Sequence, residues 1–381
     1  MLTQIQHFLF PKLNIQYTGS KEHILALDGL RGLAILLVIL FHMFHFMFGW
    51  CGVDLFFVLS GFLITGVLLE SKDTPHYFSN FWIKRILRIF PLYYLVLAVI
   101  LIPKIYFKIN TVSFTSWTYW AYLQNWGYVI KGVFPDGKDT LNHFWSLAIE
   151  EQFYLFFPFI IRYLKNKWLP YLFLGFVVLA PISRFYFYES ENIGYYVATS
   201  SRLDSLSIGA LLAYGIRYRR ALLQKWTIPV FYISLLYVLG VLIVTQDPHF
   251  SNPYFAKFGL TVIALLFGST LILSIASPKK SFVQQLFTHK ILTFLGKISY
   301  GLYVYHWILY VFIKPHLENV IFGNLQHVAL AKILTSLTIL AIAIFTSYFS
   351  FLYIEKRFLR LKKRWVYGYE GTPLPVAVNQ R

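Results

Sequence analysis

Apolar stretches of about 20 residues recur along the whole chain, and they constrain its fold more than any other feature. The 381 residues are 57% hydrophobic and only 13% charged. The stretches lack the alternation of a β-barrel, so we predict an all-α, polytopic membrane protein. About ten transmembrane helices are expected, at residues 30–48, 52–70, 88–107, 144–163, 168–188, 203–217, 227–245, 257–277, 291–313 and 330–353.

The basic residues are distributed unevenly between the connecting loops. With ten spans, most of the 34 Lys and Arg residues fall on the side that carries both termini. Basic loops stay on the cytoplasmic side, so both termini are predicted to be cytoplasmic. This distribution explains much of the net charge of +18 without a nucleic-acid partner. The single Cys51 excludes an intrachain disulfide framework and a cysteine metal cluster.

The chain divides into three predicted regions. Residues 1–20 form an N-terminal cytoplasmic segment, residues 21–357 a single membrane domain, and residues 358–381 a basic, disordered tail. The long loop 108–142 contains an aromatic stretch, Trp117–Trp126, that is either re-entrant or interfacial. The sixth span is short, so it is expected to be tilted, broken or buried.

Two ionisable side chains interrupt the first apolar helix. Arg31 stands at its start and His42 lies inside it, eleven positions later. On a helix this spacing leaves about 20° of rotation, so both side chains share one face, about 16 Å apart. Ionisable groups at membrane depth are costly and usually functional. We interpret His42 as a general base rather than a structural histidine, in a site for a long substrate with an anionic head.

Polar residues in three further spans are predicted at the depth of His42. Ser60, Glu150, Glu151 and His306 all fall about 9–12 Å below the outer surface. The two glutamates cannot face the same way on a helix. One is expected to orient or charge a histidine and the other to pair with an arginine; a structural hydrogen bond between helices is the alternative. Ser60, in a Ser-Gly pair, is equally consistent with close helix packing.

Arg85 and Arg88 lie three positions apart on one helical face at the predicted cytoplasmic edge. They are either positive-inside anchors or a clamp for phosphates, which guanidinium groups bind bidentately. Arg31 at the same edge would complete such a clamp. The chain contains no GxSxG, HExxH, Walker or GxGxxG motif, and its histidines lack metal-ligand spacing, so no metal is predicted.

At these residues the sequence resembles the acyltransferase 3 family of integral-membrane acyltransferases. LDGLRGLAILLVILFH matches the family's arginine–ten residues–histidine motif at Arg31 and His42. GVDLFFVLSGFLIT matches its second-helix signature around Ser60, and Arg85 and Arg88 match its arginine pair. FWSLAIEEQFYL and SYGLYVYHWIL match two later segments, so the resemblance covers residues 21–357.

The resemblance implies transfer of an acyl group, most often acetyl, from cytoplasmic acyl-CoA to a hydroxyl of a cell-envelope or exported glycan. Acyl-CoA would be a substrate, with no permanently bound cofactor. The expected location is the bacterial inner (cytoplasmic) membrane. Some relatives carry an extra C-terminal SGNH-type domain, which we do not expect in this sequence.

The resemblance also implies roles for the side chains named above. His42 would take the proton of the acceptor hydroxyl or accept the acyl group itself, and Glu150 or Glu151 would orient it. The phosphates of CoA would be bound by Arg31, Arg85 and Arg88. Supporting roles are expected for Asp28, Ser60 and His306.

Two other classes of protein remain open. A transporter of a glycan, lipid or acyl group could use the same residues as a proton or substrate relay. The absence of a visible inverted repeat counts mildly against it. A membrane scaffold without catalytic activity would leave the alignment of Arg31 with His42 unexplained.

Overall fold

The computed structural model describes residues 24–106, 116–134, 139–322 and 328–366, together with Leu13. These residues form helices and no β-strand. The helices are α1 (Leu25–Phe44), α2 (Gly52–Ser71), α3 (Tyr77–Tyr106), α4 (Ser116–Trp120), α5 (Gln124–Lys131), α6 (Trp145–Tyr163), α7 (Leu169–Glu189), α8 (Gly194–Val197), α9 (Leu203–Tyr218), α10 (Arg220–Thr245), α11 (Leu260–Ala276), α12 (Phe282–Phe287), α13 (Lys290–Lys297), α14 (Ser299–Phe322), α15 (Val328–Ser350) and α16 (Lys356–Val366). Short 3₁₀ turns lie at Met47–Cys51, Asn142–Phe144, Asn166–Trp168 and Ser200–Arg202, and π-helical turns at Phe255–Gly259 and Phe351–Glu355.

Eight helical segments of the described ranges are long and apolar enough to cross a membrane. The all-α prediction is therefore confirmed, and the chain is an integral membrane protein. The predicted count of ten spans is not confirmed, and the cytoplasmic position of both termini stays a prediction. The eight segments are Leu25–Phe44, Met47–Ser71, Tyr77–Pro103, Asn142–Tyr163, Asn166–Glu189, Arg220–Thr245, Phe255–Ala276 and Val328–Leu361.

The other two predicted spans have different forms in the structure. The segment 203–217 becomes α9, whose 16 residues measure about 24 Å, less than the hydrocarbon thickness of about 30 Å. Most of α9 is buried among its neighbours. The segment 291–313 is divided into α13 and α14 around Ile298. The first half of α14 is rich in tyrosine, histidine and tryptophan, which lowers its hydropathy.

Two predicted boundaries differ from the observed ones. Helix α3 begins at Tyr77, well before the predicted start of the third span at residue 88, so Arg85 and Arg88 lie inside a continuous helix. The tail predicted to be disordered from residue 358 is helical as far as Val366, because α16 continues the last span and packs against α3. Residues 1–12, 14–23 and 367–381 of the predicted terminal segments lie outside the described residues.

The aromatic stretch predicted as re-entrant or interfacial packs against α3. The hydroxyl of Tyr93 donates to the carbonyl of Tyr119 at 2.8 Å. The rings of Tyr93 and Tyr122 are stacked, with centroids 4.2 Å apart. These contacts attach α4 and α5 to the membrane helices. Residues 107–115 and 135–138 of the predicted loop lie outside the described residues.

Glycines allow two helix pairs to cross with their backbones in contact. A Cβ added at Gly61 of α2 would lie 1.9 Å from the carbonyl oxygen of Leu206 in α9. A Cβ at Gly32 of α1 would lie 2.0 Å from the carbonyl oxygen of Leu292 in α13. Small residues permit such close approach between membrane helices. The Ser-Gly pair of α2 thus has both predicted roles: Gly61 packs against α9, and Ser60 lies in the cavity described below.

We expect Gly61→Ala to destabilise the protein, because its methyl group would force α2 and α9 apart. Overpacking of this kind costs about 1–3 kcal/mol. Gly175→Ala in α7 is the matched control, since a Cβ there meets no atom within 4 Å. The measurement is the thermal unfolding midpoint of the purified protein in detergent. Equal midpoints for the two variants would contradict the crossing.

Two fully buried ion pairs join α7, α9 and α2. Arg184 Nη1 of α7 forms a salt bridge with Asp204 Oδ2 of α9 at 2.7 Å. Arg202 Nη2 forms one with Asp54 Oδ1 of α2 at 2.9 Å. All four side chains are 0% exposed. Removing one partner of such a pair typically costs about 3–5 kcal/mol. These pairs fix the helices behind the candidate site.

Candidate active site

Helix α1 is continuous from Leu25 to Phe44, so Arg31 and His42 keep the predicted spacing along one helix. Asp28 lies one turn before Arg31 and accepts a hydrogen bond from its Nη1 at 3.0 Å. Asp28 therefore holds the guanidinium, consistent with its predicted supporting role. Both side chains remain partly exposed, at 21% for Arg31 and 15% for Asp28.

A cavity, here called the arginine cavity, lies between α1, α2, α3, α6 and α14. It brings together all three predicted phosphate-binding arginines from α1 and α3. Aliphatic and aromatic side chains form much of its wall. Its polar lining residues are Arg31, Ser60, Arg85, Arg88, Ser146, Glu150, Tyr154, Ser299, Tyr300 and Tyr303.

Two of the three arginines in this cavity have no carboxylate partner among the described residues. Arg85 lies over the rings of Phe81 and Tyr154, at 5.9 and 5.5 Å, and its buried Nε has no hydrogen-bond partner. Arg88 forms no ion pair within the described part of the chain. Partly buried guanidinium groups that form no direct ion pair can bind an anionic ligand such as a phosphate.

One face of α6 contributes a polar network to the cavity. Ser146, Glu150 and Tyr154 follow each other at four-residue spacing, which places them on the same side of a helix. The hydroxyl of Tyr154 donates to Ser60 Oγ at 2.9 Å, and Ser60 Oγ in turn donates to Glu150 Oε1. Ser60 and Glu150 are thus brought together as predicted from their depth.

The adjacent Glu151 faces away from Glu150. It lines a second cavity of about 650 Å³ with Trp82, Phe90 and Tyr122, and Arg85 lies in the walls of both cavities. Its buried Oε1 has no hydrogen-bond partner. The prediction that the two glutamates point in different directions is confirmed.

Three histidines gather between the C-terminal end of α1, the turn before α6 and the first half of α14, and we call them the histidine cluster: His42, His143 and His306. His306 Nε2 lies 3.2 Å from His42 Nδ1. The rings of His143 and His306 are 5.0 Å apart between centroids. His306 is fully buried, whereas His42 is half-buried. The predicted supporting residue His306 therefore contacts the predicted catalytic residue directly.

The acceptors around these rings define where their protons lie. His306 Nδ1 is 2.7 Å from the carbonyl oxygen of Tyr303, so it carries the proton, and Nε2 is left as an acceptor. His42 Nδ1 then donates, since it faces the carbonyl of Val38 at 3.0 Å as well as His306 Nε2. In this tautomer His42 Nε2 keeps a lone pair. That nitrogen can act as a base or a nucleophile.

Two expectations about the site need correction. His306, and not Glu150 or Glu151, is the hydrogen-bond partner of His42, because Glu150 is engaged by Ser60 and lies with the arginines. The single predicted layer of polar groups is divided in two. Ser60 and Glu150 line the arginine cavity, whereas the histidine cluster does not.

The histidine cluster does not form a metal centre. No group of three or more His, Cys, Asp or Glu side chains within the described ranges is arranged to hold a metal ion. Ring nitrogens of the cluster face backbone carbonyls instead: His143 Nε2 lies 3.3 Å from Val304 O. The rings of the cluster are therefore held by hydrogen bonds to the backbone.

Four side chains of the site were missed in the sequence. Helical spacing could have indicated three of them: Ser146 and Tyr154 lie four positions from Glu150, and Tyr303 lies three positions before His306. His143 lies in the 3₁₀ turn before α6, where periodicity gives no signal. It joins the site through a tertiary contact with α14.

The arginine–histidine helix, the arginine cavity and the tight Ser-Gly helix crossing can now be compared with known proteins. The family model described as "Acyltransferase domain", that of the acyltransferase 3 family, matches residues 24–355. The chain belongs to the acyltransferase 3 family. The match covers every predicted site residue and ends just before α16.

Similar curated proteins carry names of O-acetyltransferases. The chain is 30% identical over 78% of its length to the peptidoglycan O-acetyltransferase OatA of Listeria monocytogenes, of which it covers 51%. It is 28% identical over 81% of its length to O-acetyltransferase OatA of Staphylococcus aureus strain NCTC 8325, of which it covers 53%. The chain thus spans about half the length of these relatives. No solved structure matches it.

Proposed function

We propose that this protein is an O-acetyltransferase that moves an acetyl group from acetyl-CoA to a hydroxyl of a cell-envelope glycan. The observation that carries the proposal is the arginine cavity. It has unpaired guanidinium groups at one end, and the histidine cluster lies behind the other end. The names of the relatives support the acetyl group and, for the Listeria protein, peptidoglycan as the class of acceptor.

The positive charge of the arginine cavity supports acetyl-CoA as the donor. The phosphates of acetyl-CoA would bind Arg31, Arg85 and Arg88, since guanidinium groups pair with phosphate oxygens bidentately. The uncharged pantetheine arm would follow the aliphatic and aromatic wall. The axis of α1 then directs the thioester towards His42, about 16 Å from Arg31.

The acceptor would approach His42 from the side opposite the arginines. His42 is half-buried, and the residues that follow α1, including His45 and Phe46, are exposed. An extracellular glycan could therefore reach the imidazole without entering the arginine cavity. In this arrangement donor and acceptor occupy different sides of the membrane, and the acetyl group alone passes between them.

In direct transfer, His42 Nε2 removes the proton of the acceptor hydroxyl while that oxygen attacks the thioester carbonyl carbon. The carbon–sulfur bond then breaks, and the imidazolium returns the proton to the CoA thiolate. His306 Nε2 accepts a hydrogen bond from His42 Nδ1–H throughout and so fixes the reactive tautomer. The products are the acetyl ester and CoA.

In a relay, His42 Nε2 itself attacks the thioester and CoA leaves as the thiolate, giving an acetyl-imidazolium that keeps its Nδ1 proton; the thiolate later takes the proton that the acceptor hydroxyl loses. The acceptor hydroxyl then attacks this acetyl group and restores the imidazole. The required contacts of His42 are the same in both routes. Retention of an acid-labile acetyl label on the protein, in the absence of acceptor, would distinguish the relay from direct transfer.

The test of the function uses protein purified in detergent, radiolabelled acetyl-CoA and soluble peptidoglycan fragments. We expect release of CoA together with ester-linked label on the fragments. Tight acetyl-CoA binding without hydrolysis or transfer would contradict the proposal and favour a transporter. Heat-denatured protein is the control for spontaneous hydrolysis of the thioester.

The separation of the two glutamates predicts different effects on donor affinity. Glu150→Gln should tighten acetyl-CoA binding several-fold (about 1 kcal/mol), because it removes a carboxylate from a cavity that binds an anion. Glu151→Gln is the matched control and should change the affinity less, since its side chain lines the second cavity. Equilibrium binding of CoA measures both values. A weaker affinity of Glu150→Gln, or a larger effect at Glu151, would contradict this placement.

A further inference from the structure

The arginine cavity stops short of the histidine cluster. Tyr303 and Ser146 line the cavity, but none of the three clustered histidines does. The ring of Tyr303 lies 5.4 Å from that of His143 and 5.6 Å from that of His306, measured between centroids. Tyr303 therefore separates the space that would hold the donor from His143 and His306, and His306 in turn contacts His42.

Hydrogen bonds hold this tyrosine in place. Its hydroxyl donates to the backbone carbonyl of His143 at 2.7 Å. Since that bond uses the phenolic proton, Ser146 Oγ is the donor in the 2.5 Å contact between the two hydroxyls. The ring packs edge-on against Phe56, with centroids 6.0 Å apart, and the side chain is only 6% exposed.

We propose that Tyr303 is the barrier between the donor cavity and the histidine cluster, and that its side chain moves aside when the thioester advances to His42. The proposal rests on the proposed acyl transfer from the arginine side. Tyr303 is a positioning residue here and takes no part in bond formation. In its closed position the side chain keeps cavity water away from His42. When it is displaced, it admits only the thioester arm of a CoA whose phosphates are already bound by the arginines.

The cost of opening is compatible with such a role. Displacing the ring breaks two neutral hydrogen bonds, each of which makes only a modest net contribution to stability. The lost contacts can be regained from the pantetheine arm, so donor binding favours the open position.

The test measures access to position 42 and does not require catalysis. Cys51 is the single cysteine and is buried, so Cys51→Ser gives a background without reactive thiols. His42→Cys is added to this background, and sealed vesicles of each orientation are treated with a membrane-impermeant thiol reagent. Arg88→Cys in the same background identifies the side on which the arginine cavity opens.

We expect His42→Cys to be unreactive from the Arg88 side while Tyr303 is present, and to react at least tenfold faster when Tyr303→Ala is added. Tyr303→Phe retains the ring and should stay within about threefold of the parent, since the hydrogen bonds contribute less than the steric block. If Tyr303→Ala does not fold, Tyr303→Leu, which also lacks the ring, decides the question.

Rapid labelling of His42→Cys from the Arg88 side with Tyr303 intact would overturn the proposal. So would an unchanged rate in the folded Tyr303→Ala or Tyr303→Leu variant. These outcomes are independent of the function. Rapid labelling with Tyr303 present, in protein that transfers acetyl groups, would refute only the role of Tyr303, whereas a barrier in protein that transfers none would refute only the acyltransferase proposal.

Discussion

Replacing His42 with glutamine is expected to lower the rate of acetyl transfer by about 10²–10⁴-fold, the usual contribution of a general base. The loss follows from the geometry: His42 Nε2 is the ring nitrogen left with a lone pair once Nδ1 donates to Val38 and His306. Acetyl-CoA binding should be unchanged, because His42 lies outside the arginine cavity. The measurements are initial rates of transfer and the equilibrium Kd of CoA.

His45→Asn is the matched control for this variant. His45 is exposed, ends α1 and has a φ of 56°, a left-handed conformation that asparagine adopts readily. We expect it to retain wild-type activity. A second variant, His306→Leu, removes the hydrogen-bond acceptor of His42 and should reduce the rate less than His42→Gln does. Full activity of folded His42→Gln protein would exclude His42 as base or relay.

Arg88→Ala is expected to weaken acetyl-CoA binding by about 10–100-fold, and Arg85→Ala by a similar factor. A hydrogen bond between a charged group and its partner contributes about 1.5–3 kcal/mol, and each guanidinium in the cavity is available for a phosphate. Lysine at either position should restore only part of the affinity, since it keeps the charge but cannot bind bidentately. The concentration of glycan that gives half-maximal rate should not change.

Lys84→Ala is the control for the arginine variants. Lys84 neighbours Arg85 in α3 and carries the same charge, but it does not line the arginine cavity. Its substitution should leave the Kd of CoA within about twofold of the wild type, because only general electrostatic attraction is lost. If Lys84→Ala and Arg88→Ala weakened CoA binding equally, the phosphate clamp would be contradicted. An effect of Arg88→Ala on the glycan alone would contradict it as well.

Local periodicity made the core of the site predictable. Arg31 and His42 share one helix, so their relation follows from helix geometry alone, and α1 is continuous as expected. The opposite orientations of Glu150 and Glu151 follow from the same rule. In each case the relevant residues lie within a few turns of one element.

Relations between elements were not predictable in this way. The partner of His42 is on α14, 264 positions away, and no periodicity connects the two residues. The predicted depths placed Ser60 and His306 in one layer, but depth gives no position within the membrane plane. The separation of the histidine cluster from the arginine cavity could therefore not be foreseen. The ion pair of Arg184 with Asp204 is likewise visible only after the helices are packed.

The boundaries of the helices were set by more than hydropathy. Helix α3 begins at Tyr77 because a helix continues beyond its apolar part wherever the chain can pack, and hydropathy marks only the apolar part. In contrast, the predicted span 291–313 is interrupted near Ile298, where Gly296 of α13 crosses α1: a Cβ there would lie 1.8 Å from the carbonyl oxygen of Asp28. That close approach is a tertiary contact, invisible to a hydropathy window.

The most direct test of the account is acetyl transfer across a sealed membrane. Protein is reconstituted into vesicles that enclose peptidoglycan fragments, and radiolabelled acetyl-CoA, which does not cross the bilayer, is added outside. The account predicts that label appears on the enclosed fragments while CoA remains outside, and that His42→Gln abolishes this transfer. Transfer only when donor and acceptor share one side, or accumulation of intact acetyl-CoA inside the vesicles, would contradict it.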